Sequence, residues 1–170
     1  MVFLLVTSVF VLLLLFSSDI ALLLVGASIN RTNEVSNSIL LEPEDRILFN
    51  IDKVIINDDM FHSVEVVGWA ILPFSNDSGV KTVNLFLVSN EHSYEINTAI
   101  VERIELRSFF QEHNVDGMQH GFVSTFSPVK IKKGEYKLYL FYKNDTSESL
   151  IDTGMLLQKE GKDLRDINLD

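Results

Sequence analysis

The sequence predicts an all-β domain of two packed layers with one short amphipathic helix, carried behind an N-terminal membrane helix. Three observations carry that reading. Short stretches rich in β-branched and aromatic residues recur between Arg46 and Gln158. Clusters of Asn, Asp, Ser and Gly separate them. The first 27 residues hold a long apolar run.

Residues 2–27 comprise 26 positions with a single charge, Asp19. As a helix this run is about 39 Å long, against a hydrocarbon core of about 30 Å, so it is long enough to span a bilayer with tilt. Asp19 near the bilayer centre costs about 2.5–3.5 kcal/mol, and the Leu, Ile, Val and Phe around it, at about −0.3 to −0.6 kcal/mol each, outweigh it. Val25, Gly26 and Ala27 before Ser28 have the small side chains of a signal-peptide cleavage site. The apolar stretch exceeds the usual signal core and no Lys or Arg precedes it, so an uncleaved anchor is favoured. Arg31 and Arg46 on the C-terminal flank argue, by the positive-inside rule, for a cytoplasmic domain. A long acidic domain without cysteine behind an apolar segment fits export better, and residues 28–170 are expected outside the cytoplasm.

From Ser28 to Asp45 the chain is polar and aperiodic, with Pro43 before an acidic pair, and reads as a linker. Strands are expected over Arg46–Asn57, His62–Leu72, Val80–Ser89, His92–Ile104, Gln119–Ser127, Glu135–Lys143 and Ser149–Gln158. Residues 62–72 are apolar on both faces and are placed centrally, whereas residues 136–143 alternate with one wetter face. Between strands four and five, Leu106, Phe109, Phe110 and His113 recur at helical spacing and predict a short helix lying across one open end of the sheets. Seven strands in about 115 residues is the count of an immunoglobulin-like or jelly-roll sandwich. The organisation expected is an anchor or signal segment over 1–27, a linker over 28–45, a β-sandwich over 46–158 and a polar tail over 159–170.

Composition narrows the function classes. With 14 Lys and Arg against 24 Asp and Glu, the chain has a net charge of −10, which excludes a phosphate-binding nucleic-acid surface. The same acidity disfavours polyanionic wall polymers and leaves neutral glycan or another envelope protein as candidate partners. The absence of cysteine excludes disulfides, thiolate zinc sites, a Cys nucleophile and a lipid-modified Cys, and leans the reading towards a bacterial source. The sequence contains none of the nucleophile-elbow, zinc-protease, P-loop or dinucleotide fingerprints, so the chain is read as non-enzymatic with no cofactor.

Weaker constellations remain. Asp58, Asp59 and His62 at one turn, and His113, Asp116 and His120 at another, have the residue types of a metal site at loose spacing and read as solvated loop residues. Asn30, Asn76 and Asn144 open Asn-x-Ser/Thr sequons. Trp69 is the chain's single Trp, set in a strand expected to be central, where packing into the core outweighs a sugar-stacking platform.

Lys133-Gly134-Glu135-Tyr136, preceded by Val129 and Ile131, resembles the corner of immunoglobulin-like sandwiches, where a Tyr opening a late strand hydrogen-bonds back across the turn. Together with Gly68-Trp69-Ala70, Arg103 followed by Phe109-Phe110, and Gly121-Phe122, it resembles β-sandwich domains appended to membrane-bound bacterial envelope proteins, some of them near glycan-handling enzymes. The resemblance covers about residues 46–158 and rests on short structural motifs. Glu105 stands where an Asp is expected after the Arg, so the resemblance carries over no ligand role or activity, and Trp69 and Arg103 stand as the candidate ligand-binding residues of the chain. The function expected is a membrane-tethered, extracytoplasmic, non-enzymatic binding or spacer module of a bacterial envelope. The alternative is the C-terminal part of a multi-spanning glycan transferase or polymerase whose catalytic part lies upstream.

Overall fold

The computed structural model describes residues 32–35, 46–57, 62–74, 82–115, 119–145 and 147–167. The apolar run over residues 2–27 lies outside them. Among the described residues no helix is long and apolar enough to cross a membrane.

The described chain is all-β apart from one helix and two short 3-10 turns. The strands are β1 (Thr32–Val35), β2 (Leu48–Ile56), β3 (Val64–Ile71), β4 (Thr82–Val88), β5 (Ser93–Asn97), β6 (Ala99–Val101), β7 (Gly121–Phe126), β8 (Gly134–Lys143), β9 (Glu148–Glu160) and β10 (Asp163–Asp166), and the helix is α1 (Arg107–Glu112). They form a six-stranded sheet, ordered β1-β5-β4-β8-β9-β10, and a four-stranded sheet, ordered β2-β3-β7-β6. Every pairing is antiparallel.

Period-two alternation explains how the layers meet. Val64, Val66 and Ala70 of β3 and Phe122 and Phe126 of β7 share one buried cluster with Val83, Leu85 and Leu87 of β4 and Leu138, Leu140 and Tyr142 of β8. The four-stranded sheet thus covers one face of the six-stranded one. β3 is indeed internal, between β2 and β7; its core side is buried, and on its other side Ile71 is buried while Glu65, Val67 and Trp69 are half-buried. Its other face offers Trp69 and Ile71 to Phe110, Val115, Leu106 and Phe109. This corrects the position expected for the helix: α1 lies on the outer face of the four-stranded sheet, because its apolar stripe finds unfilled side chains there.

The segment expected as one strand over His92–Ile104 is two, divided at Thr98, with β5 in the larger sheet and β6 in the smaller. The Thr98 hydroxyl donates to the Val83 carbonyl, and the Ser124 hydroxyl donates to the Asn97 carbonyl at 2.9 Å, so both sheets grip the crossing point. A strand that changes sheet keeps its alternation, which hides the break from sequence. The polar stretch read as linker contributes β1, which pairs with β5. The residues read as polar tail contribute the end of β9 and β10, joined through Gly161 at φ 55°. Leu164 of β10 is fully buried in the main cluster.

At the corner before β8, the Tyr136 hydroxyl donates to the Lys132 carbonyl at 3.0 Å, the back-bond expected from the sequence. Its ring stands 5.9 Å from Tyr94, whose hydroxyl accepts from the Lys132 amide at 3.2 Å.

Candidate functional site

Trp69 and Arg103, the residues singled out from sequence, both lie on the outer face of the four-stranded sheet, each with its own partners. Trp69 pairs in register with Gly121. Gly121 has no side chain because the Arg103 stem lies across it: a Cβ there would stand 2.8 Å from Arg103 Cδ. Arg103 follows β6 and crosses the sheet so that its guanidinium reaches β2.

There the guanidinium is held from three sides. Its Nη1 donates to Asp52 Oδ2 at 2.6 Å and to the Gly68 carbonyl at 3.2 Å, and its Nε donates to Glu105 Oε1. The Arg103 side chain is only 14% exposed. Asp52 is available because β2 carries a register shift between Ile51 and Lys53, which leaves Asp52 without a partner on β3. The Asn50 amide donates to the other Asp52 oxygen at 2.6 Å and fixes the carboxylate. Burial works against the guanidinium, but the hydrogen bonds to Glu105 and Asp52 hold its pKa above the ordinary arginine value. The hydrogen bond from Arg103 holds the Glu105 carboxyl below the usual carboxylate range. Glu105 therefore meets Arg103 in place of the expected Asp, and Asp52 adds a second carboxylate.

Trp69 is half-buried in the second cluster. Phe109 stands edge-on to it at 5.0 Å and 61°, and Phe110 at 6.2 Å and 70°. Phe110 is itself fully buried and takes the His120 ring at 5.1 Å. The indole is thus packed between the sheet and α1, with its neighbours presenting ring edges.

The candidate metal ligands fare differently. Asp58, Asp59 and Asp116 lie outside the described residues. His62 stands 3.8 Å from Asp163. His113 has Nδ1 at 2.8 Å from the Phe109 carbonyl and its ring 4.2 Å from Phe109, so it extends the aromatic layer of α1. Among the described residues no three His, Asp or Glu side chains group as a metal site. Of the sequons, Asn30 and Asn76 lie outside the described residues. Asn144 is only 6% exposed, its Oδ1 accepting from the Ser147 amide at 2.7 Å, which makes it a turn residue and a poor glycan acceptor.

Sequence reasoning missed two features. The partnership of Asp52 with Arg103 spans 51 residues and depends on a bulge that leaves no mark in the hydrophobic pattern. Lys159, read as tail, is 1% exposed, with its ammonium donating to the Gly161 carbonyl. Burial pushes this lysine below its usual range, and the attraction of Asp163 offsets part of the shift.

No family model, curated protein or solved structure matches this chain.

Proposed function

We propose that the chain is a membrane-tethered, extracytoplasmic, non-enzymatic module of a cell envelope, with an immunoglobulin-like sandwich that serves as a spacer or presents a binding surface. The observation that supports it best is how Arg103 and Trp69 are used. The guanidinium is taken up by Asp52, Glu105 and the Gly68 carbonyl, and the indole by Phe109 and Phe110. The side chains with the richest chemistry brace α1 and β2 against β3, which suits a rigid display element. A neutral glycan or another envelope protein is the partner such an acidic surface accepts.

The address is tested with alkaline phosphatase fused after Asp170 and assayed in whole bacterial cells. Active enzyme is expected, since the fusion folds only outside the cytoplasm. An inactive fusion, with an active cytoplasmic reporter at the same junction, overturns the proposed address.

A further inference from the structure

β2 is the outermost strand of the four-stranded sheet, and among the described residues nothing pairs with its free edge. A cleft of about 510 Å³ opens along that edge, with Ile51, Val54 and Ile56 on one side and Met155 and Arg165 on the other. The far side of the domain is closed where β5 crosses into β6, so the layers part at the β2 edge. A bare edge of this length is a template for any extended chain. Two features restrict what it accepts: the exposed Lys53 near its middle, which has no ion-pair partner among the described residues, and the bulge at Asp52.

We propose that this edge pairs with β2 of a second copy of the chain, antiparallel about a two-fold axis that passes between Asp52 and Lys53. In that register Asp52 of each copy faces Lys53 of the other. Ile51 faces Val54, Asn50 faces Ile55, and Phe49 faces Ile56.

The bulge makes this register consistent between faces. Phe49, Ile51, Val54 and Ile56 pair with Ala70, Gly68, Val66 and Val64, on the core side of β3. Asn50, Lys53 and Ile55 pair with Trp69, Val67 and Glu65, on the outer side. In a regular strand Ile51 and Val54, three positions apart, point to opposite faces and cannot be direct antiparallel partners. The extra residue at Asp52 turns both to the core side, where both pack against the main cluster. A slip by one residue sets core side against outer side and Lys53 against an apolar residue or itself. The two features that repel other strands therefore select the chain's own β2. Asp52 is already oriented by Asn50 and Arg103, and its carboxylate retains lone pairs for the incoming ammonium.

The test uses the full chain in detergent micelles, with its mass followed by light scattering through a dilution series. A concentration-dependent dimer is expected. Lys53→Glu sets carboxylates against each other on both sides of the axis and is expected to weaken the dimer at least about tenfold while leaving the melting temperature of the dilute, monomeric chain unchanged. A monomer at every concentration overturns the proposal. So does a dimer that Lys53→Glu leaves intact, which assigns self-association to another surface such as residues 2–27. Because the chain has no cysteine, Asn50→Cys combined with Ile55→Cys reads the register directly, even if Lys53→Glu disturbs folding. These positions are about 16 Å apart within one strand, too far for an internal disulfide. Mild oxidation is expected to give a covalent dimer that reductant reverses, and failure to do so overturns the register.

Discussion

Arg103 reaches Asp52 at 2.6 Å because the bulge in β2 leaves Asp52 off the ladder and turns it to the outer face of the sheet. One contact thereby ties the segment after β6, at one edge of the four-stranded sheet, to β2 at the other edge. The Arg103 side chain crosses β7 over Gly121 and also donates to the carbonyl of Gly68 in β3.

Arg103→Met is expected to destabilise the chain by about 1–3 kcal/mol, since it leaves Asp52 beside a half-buried surface with its strongest donor gone. Urea unfolding in detergent measures this. A change under about 0.5 kcal/mol, the ordinary surface range, shows that the brace contributes nothing.

Glu105 is expected to titrate below the ordinary glutamate value of 4.5 and to return towards it in Arg103→Met. Because the folded value is depressed, the stabilising contribution is fully present above the ordinary value and is lost as pH falls through the folded one. Side-chain carboxyl chemical shifts followed through an acid titration report it. Identical titrations in the two proteins exclude the contact.

Lys159 gives the opposite dependence. Its folded pKa lies below the usual 10.5, so the unfolded chain binds more protons in the window between the two values, and stability rises with pH there. Lys159→Met is expected to abolish that rise and to stabilise the domain by about 1 kcal/mol at neutral pH, through removal of a buried charge. Thermal melts across the alkaline window, compared between the two proteins, test both effects.

Trp69 reports on the layer beneath α1. Its emission is expected to be blue-shifted, poorly quenched by acrylamide and unchanged by neutral oligosaccharides, and Trp69→Ala is expected to cost about 3 kcal/mol. Efficient quenching, with a spectral response to a glycan and unchanged stability, makes this face a sugar-stacking platform.

The sequence by itself determined β2, β3, β4, β7, β8 and most of β9, the internal position of β3 and the corner at Tyr136. Each is written locally, in period-two alternation, in turn residues such as Lys132-Lys133-Gly134, or in a back-bond spanning four residues. It also marked Trp69 and Arg103 by their surroundings. Only the tertiary structure decided what those two residues touch. The Asp52 partnership rests on a bulge that local patterning does not encode, and the Thr98 crossing preserves the alternation it interrupts. Lys159 has a polar side chain that only the packing of β9 and β10 against the core takes out of water. Polarity records what a residue prefers in isolation, and neighbours brought together across the chain decide whether that preference is met by water, by a carbonyl or by an opposing charge.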